Sequence, residues 1–221
     1  TLETMTVPLP ETGYGTLGPS AQDAILGLAQ AKSCLALGPG LGPAPETGEL
    51  VRELARSSPI PTVIDADGLN HLAGASEVLK DRPADTVLTP HPGEMARLLG
   101  TTAAAVQRDR IACARDLATG LNLHVVLKGA RTLIAHPDGT VYINPTGNSG
   151  MASGGMGDVL TGALAGLIAQ GIRPDLAARA AVFLHGAAAD HLARSIGPWG
   201  YLAGEVMAAL PGQLATLFTE A

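Results

Sequence analysis

Four short apolar runs limit what this chain can become: Cys34–Gly38, Pro61–Asp65, Thr86–Thr89 and Leu123–Lys128. None alternates apolar with polar residues, so each reads as a strand buried on both faces. Stretches of helical periodicity surround them, over residues 21–32, 47–56, 92–99 and 102–119. Pro92 in a first turn and Gly100 just past a last one punctuate one of these as helices usually are. Thr132–His136 and Thr140–Asn144 flank Pro137-Asp-Gly139, a turn signal, and predict a hairpin. Three helices follow, over 158–170, 174–195 and 201–218, and the small residues of 177–193 predict close helix packing. Strands alternating with helices point to a mostly parallel sheet covered on both faces, with the hairpin adding antiparallel strands at one side. No internal repeat or dividing linker is visible, so residues 1–221 read as one domain.

In open α/β sheets ligands bind beyond the carboxyl ends of the strands. The polar and glycine motifs fall at those ends: Gly38-Pro-Gly-Leu-Gly42, Asp65-Ala-Asp-Gly-Leu-Asn70, Thr89-Pro-His-Pro-Gly-Glu94 and Lys128-Gly-Ala-Arg-Thr132. The last strand leads to Gly147-Asn-Ser-Gly-Met-Ala-Ser-Gly-Gly-Met-Gly-Asp-Val-Leu-Thr-Gly162. Each motif alone is a weak signal; five at one end of a sheet are more than turn chemistry requires.

The glycine stretch carries the most chemistry. Glycines 154, 155 and 157 precede one carboxylate, Asp158, and an apolar-periodic run starts at once. Backbone N–H groups free of side chains can approach a phosphate closely, and a helix start carries partial positive charge. An acid there can merely favour the helix dipole. Behind so many small residues it reads better as a base beside a phosphate cradle.

Composition removes other classes. The chain has 46% hydrophobic and 15% charged residues, a net charge of −6 and no Lys/Arg run, which argues against an extended nucleic-acid surface. Cys34 and Cys113 are far apart and form no CxxC, so both are expected reduced and interior. No apolar run reaches the roughly 18 residues of a membrane span and no signal peptide is visible, which fits a cytoplasmic protein. G-x-S-x-G, H-E-x-x-H and Walker lysine motifs are all missing from the sequence.

Several residues keep two readings. Lys128 is an ordinary solvated lysine or, at the end of an apolar strand before Gly129, a phosphate neighbour. His91 is a loop histidine or, stiffened between two prolines, a ligand contact. Glu94 is a first-turn acid or a holder of Mg²⁺ through water. Asp65 and Asp67 cap a turn or shape a pocket floor. His185 and His191, six apart on one helix, miss metal-ligand spacing and read as packing or solvent-facing. His71, His124 and His136 lack an acidic or cysteine companion. Trp199 reads as packing on a helix end.

Gly155-Met-Gly-Asp158 followed by Val-Leu-Thr-Gly resembles the signature of the ribokinase-like superfamily. With Gly38–Gly42, Asp65-Ala-Asp67, Thr89–Glu94, Val126–Gly129, Gly147–Gly162 and Ala208–Pro211, nearly the whole chain is similar to the ADP-dependent NAD(P)H-hydrate dehydratases. The resemblance implies a ribokinase-like three-layer αβα sandwich and repair of hydrated NADH or NADPH, with ADP as co-substrate cleaved to AMP and phosphate, and Mg²⁺ as cofactor. It implies Asp158 as the catalytic base. Gly40, Gly42, His91 and Asp158 would meet the hydrate. Lys128, Gly129, Ala130, Arg131, Thr132, Gly155 and Gly157 would meet the nucleotide. A separate NAD(P)H-hydrate epimerase acting on the same substrate, and a homo-oligomer, a tetramer in relatives, are the implied partners, with no nucleic acid and no membrane.

Relatives of this kind begin with a further strand, glycine segment and helix before the part matching Met5–Pro10, so the chain reads as N-terminally incomplete, with one sheet edge uncovered. Two rivals stand beside the dehydratase: a small-molecule kinase of the same superfamily, acting on a vitamin precursor or a sugar, and a non-catalytic nucleotide-binding remnant.

Overall fold

The computed structural model describes residues 3–80 and 82–219. Its six strands are β1 (Leu35–Leu37), β2 (Thr62–Ile64), β3 (Thr86–Leu88), β4 (His124–Leu127), β5 (Leu133–Ala135) and β6 (Val141–Ile143). They lie side by side in chain order. β1 to β4 run parallel, and β5 and β6 return antiparallel as the expected hairpin. β1 and β6 are therefore the edges among the described residues.

The period of two along each strand divides the core into two sheets of side chains. Ile64, Leu88, Val125, Leu127 and Leu133 face one way, against Leu69 and Leu72 of α3 (Asp67–Leu72), Met95 of α4 (Pro92–Leu98) and Leu117 and Leu121 of α6 (Arg110–Leu121). Val63, Val87, Val126 and Ile134 face the other way. They meet Leu160 and Leu164 of α7 (Met156–Ala169) and Ala178, Ala181 and Val182 of α8 (Pro174–Ser195). This is the sheet covered on both faces that the strand–helix alternation implied, and the three-layer sandwich that the resemblance implied. α1 (Gln22–Ala29) and α2 (Pro45–Ser57) pack beside β1 around Leu50, Val51 and Leu54. α9 (Ala203–Thr219) closes a fourth cluster with Met156, Ala188, Ala189 and Tyr201. Ala178, Ala181, Ala188 and Ala189 are fully buried, so the alanines of α8 do let its neighbours approach closely.

The structure departs from the sequence reading locally. The periodic stretch 102–119 is two helices, α5 (Ala103–Arg108) and α6, broken at Asp109. Asp109 leaves helical geometry and its carboxylate accepts the Ala112 N–H, so N-capping wins over continuity. The segment after β2 holds the six-residue helix α3 rather than a bare turn. Trp199 is 71% exposed instead of packing on a helix end. Cys34 and Cys113 are free but only partly buried; burial pushes the Cys34 thiol up to about 11. No helix among the described residues is long and apolar enough to cross a membrane.

Candidate active site

Because β1 to β4 are parallel, the four polar motifs that follow them emerge at one end of the sheet. The chain needs glycine to turn there. Gly38 sits at φ +137°, and a Cβ on it would collide with the Asp65 carbonyl oxygen, so the ends of β1 and β2 touch through backbone. Ala66, between the two aspartates, is held at φ 50°, ψ −121°, where a residue with a side chain is strained. That kink sends Asp65 and Asp67 in different directions. Asp67 Oδ2 accepts the Gly42 N–H at 2.8 Å, while Asp65 is buried, 1% exposed.

Asp65 is the centre of a buried cluster. Its Oδ1 accepts from the Lys128 ammonium at 2.6 Å and its Oδ2 from the Thr161 hydroxyl at 2.8 Å. Lys128 is also 3.7 Å from Glu94 Oε2. Gly157, in the first turn of α7, lies directly over the pair: a Cβ there would be 3.3 Å from Lys128 Nζ and 3.5 Å from Asp65 Oδ2. Residues from the ends of β2, β3 and β4 and from the start of α7 thus meet at one point. Neither Asp65 with Lys128 nor Thr161 was paired from sequence; 63 and 96 positions separate Asp65 from its partners.

His91 and Glu94 form a reciprocal cap on α4. His91 Nδ1 accepts the N–H groups of Gly93 (2.9 Å) and Glu94 (3.3 Å), and Glu94 Oε2 accepts the His91 N–H at 2.7 Å. With its Nδ1 lone pair occupied, His91 carries its proton on Nε2, which lies 3.4 Å from Glu94 Oε1 on a half-exposed ring. Glu94 is the first-turn acid of α4, and its carboxylate also borders Lys128.

The 128–132 loop is shaped by arginines. Arg110 donates to the carbonyls of Ala130, Leu127 and Lys128, at 2.6, 3.1 and 3.3 Å. Arg131, at φ 56°, turns away to the Pro145 carbonyl at 2.6 Å. Thr132 Oγ1 donates to the Gly129 carbonyl at 3.0 Å. Gly129, Ala130 and Arg131 are exposed and Thr132 is half-buried.

Gly155, just before α7, turns the chain into the helix with a φ of +82°, and no side chain caps it. The first N–H groups of the helix are therefore open to an incoming acceptor. Asp158 is exposed on that turn. It borders a groove of ≈ 510 Å³ along β1, together with Gly38, Pro39, Leu41 and Thr161. Gly40 and Gly42, at φ +77° and +75°, have free space where a side chain would stand. The Gly42 carbonyl accepts from His71 Nε2 at 2.8 Å.

Three histidines lie buried outside this arrangement. His124 and His136 hydrogen-bond each other, Nδ1 to Nδ1, at 2.8 Å. Burial holds both below the usual imidazole range. His185 of α8, 6% exposed, has no partner for Nε2 among the described residues. Burial, and then the Lys128 charge, push it down to about 4. His191 is exposed.

Over 220 residues the chain is 51% identical to the bifunctional NAD(P)H-hydrate repair enzyme of Moorella thermoacetica, covering 100% of this chain and 42% of that protein. It spans, that is, less than half of the length of that relative. It is 47% identical over 162 residues to the ADP-dependent (S)-NAD(P)H-hydrate dehydratase of Neisseria meningitidis, covering 72% of this chain and 55% of that one. The crystal structure of the ADP/ATP-dependent NAD(P)H-hydrate dehydratase of Bacillus subtilis, co-crystallised with ATP and Mg²⁺ and soaked with CoA, superposes with a TM-score of 0.75. It is 32% identical, over 86% of this chain and 71% of that one. A model of the family described as NAD(P)H-hydrate dehydratase matches residues 2–212. That match takes in every element bordering the cleft, and on this ground the chain belongs to the NAD(P)H-hydrate dehydratase family.

Proposed function

We propose that the chain carries out ADP-dependent dehydration of the hydrate of NADH or NADPH, releasing AMP and phosphate. The observation that carries this reading is the exposed Asp158 on an uncapped, glycine-led helix start at the end of an apolar groove, within a chain of this family.

Asp158 takes the proton of the ring hydroxyl, and the oxygen attacks the terminal phosphoryl group of ADP. The P–O bond to AMP breaks as the new one forms. The N–H groups at Gly155–Gly157 take up charge on the phosphoryl oxygens in flight. The resulting ester is a good leaving group. The ring nitrogen lone pair expels phosphate, and loss of a proton from the neighbouring ring carbon restores the dihydronicotinamide. A phosphoryl-transfer site thereby serves a hydro-lyase.

Gly40, Gly42 and His91 are assigned to the hydrate, with His91 Nε2–H as donor. Lys128 to Thr132, Gly155 and Gly157 are assigned to the nucleotide. Among the described residues no three His, Cys, Asp or Glu side chains form a metal cluster. Two carboxylates, Asp65 and Glu94, do face one ammonium, Lys128, and leave excess negative charge. That suits Mg²⁺ held mainly by phosphates and water, with Glu94 reached through water. When bound, the cation neutralises phosphate charge. We place the protein in the cytoplasm, with residues 1–221 as one domain, an epimerase acting on the same substrate and a homo-oligomeric assembly.

The test is a repair assay. Enzymatically hydrated NADPH is supplied with ADP and Mg²⁺, and the near-ultraviolet absorbance of the dihydronicotinamide is followed. ADP-dependent recovery is expected; a stable phosphorylated product from another alcohol, with no recovery, would assign a kinase instead.

A further inference from the structure

The glycine-rich segment is held from outside as well as by its own turn. Between β6 and α7 it lies on α8, with its backbone in contact. A Cβ on Gly186 of α8 would collide with Thr146, and the Thr146 hydroxyl donates to the Phe183 carbonyl at 2.9 Å. Asp190, one turn further along the same helix face, holds the next two residues. Its Oδ2 accepts the Gly147 N–H at 2.9 Å and its Oδ1 accepts from Asn148 Nδ2 at 2.9 Å. Asn148 Oδ1 in turn accepts the Gly150 N–H at 3.0 Å and the Tyr201 hydroxyl. Tyr201 is 2% exposed at the entry to α9. A Cβ on Gly150 would collide with its hydroxyl and with the Pro198 carbonyl. Two residues later in the chain, Ala203 lies 3.1 Å from where a Cβ of Gly155 would stand.

The chemistry of the donors explains why position 190 is acidic. It faces one backbone N–H and one amide NH₂, both donors, and none of the ion pairs among the described residues includes it. A carboxylate is acceptor-only and satisfies both. An asparagine there would turn its own NH₂ toward one of them and leave two donors opposed.

The geometry points to Asp190, acting through Asn148 and with Tyr201, as a positioning residue that fixes the glycine segment and so sets where the first N–H groups of α7 stand. This rests on the dehydratase reading for its kinetic consequence, but not for its structural one. Asp190 touches no reacting atom. The α7 start is useful only if its N–H groups meet the phosphoryl oxygens in the geometry of transfer, and a misplacement of about 1 Å can cost on the order of 100-fold in rate.

The decisive comparison is Asp190→Asn alone against the reciprocal swap, Asn148→Asp combined with Asp190→Asn. In the swap, the amide placed on α8 turns its oxygen to the Gly147 N–H and its NH₂ to the carboxylate placed in the glycine segment. That carboxylate still accepts from the Gly150 N–H and the Tyr201 hydroxyl. Every hydrogen bond returns, although the charge has moved. Asp190→Asn is expected to lower kcat about 10- to 100-fold with KM for the hydrate within about twofold, and the swap to recover kcat to within about threefold of wild type. Tyr201→Phe keeps the ring packing and removes one donor; a smaller drop in kcat in the same direction is expected, and this variant serves if Asp190→Asn fails to fold. Amide hydrogen exchange over residues 147–157 is measured in parallel. Faster exchange in the single variants, reversed in the swap, supports the assignment. Unchanged exchange, or a swap no better than Asp190→Asn, overturns it. Wild type that repairs no hydrate would sink the dehydratase reading alone, and the exchange pattern would still decide the positioning role.

Discussion

Lys128 and Asp65 stand at the ends of two strands that do not touch, with β3 between them, yet their side chains meet at 2.6 Å. Asp65 is 1% exposed and the side chain of Lys128 is 18% exposed, so neither charge is carried by water. Breaking such a pair leaves a buried charge uncompensated. Lys128→Met is expected to lower unfolding free energy by about 3–5 kcal/mol, and adding Asp65→Asn to restore most of it. Urea midpoints of the two variants check this; equal losses would mean that the pair is not what holds the site.

Asp158 is exposed at the start of α7, and the buried cluster beneath it is built without its carboxylate. Asp158→Asn should therefore leave the melting temperature and ADP affinity near those of wild type. Turnover should fall about 10²- to 10⁴-fold. Calorimetric titration with ADP beside the repair assay separates the two; turnover equal to wild type would remove Asp158 as the base.

His91 joins two tasks that substitution can divide. Asparagine retains an acceptor for the Gly93 and Glu94 N–H groups but lacks the Nε2 donor. His91→Asn should fold within about 0.5 kcal/mol of wild type, whereas His91→Ala should lose about 1 kcal/mol with the cap. Both should raise KM for the hydrate about tenfold, the worth of one hydrogen bond. An unchanged KM in both would limit His91 to capping.

The buried histidines set the acid limit. His185 falls from 6.5 to about 4 in the fold, so the unfolded chain binds its proton first. The stability from keeping it neutral is complete above pH 6.5, is lost as pH drops toward 4, and changes no further below that. Its size is about 3 kcal/mol. His124 and His136 shift in the same direction and add to the slope. Denaturant midpoints from pH 8 to pH 4 should fall mainly below about pH 6.5, and His185→Gln should flatten that part of the curve. A profile flat down to the carboxylate range would contradict this.

The strands and the motifs at their ends were legible because both are local: apolar runs of four to six residues, each closed by glycine or a polar group. The hairpin was legible from Pro137-Asp-Gly139 for the same reason. What sequence could not supply is the pairing across distance. Asp65 kept two readings, a turn cap or part of a pocket floor, because its partners, Lys128 and Thr161, lie on other elements. Asp190 and Tyr201 carried no motif at all, since their hydrogen-bond partners are a backbone N–H and the Asn148 amide of the glycine segment. The break at Asp109 did leave a signal, an acid three residues before the Ala112 N–H that it caps, but helical periodicity on either side concealed it. α3 was hidden by its length, six residues being too few to show a period.

The two sides of the sheet are sealed at different times as the chain is made. Connections between successive strands, through α3, α4 and α6, cover one side as the strands themselves appear. Among the described residues, the opposite side, Val63, Val87, Val126 and Ile134, is packed against α7 and α8, which follow all six described strands in the chain. A nascent chain that has reached only Gly150 carries those strands with one oily flank and no Asp158. Shelter for that flank from the described residues and the proposed base therefore arrive from the ribosome together, with the same helix.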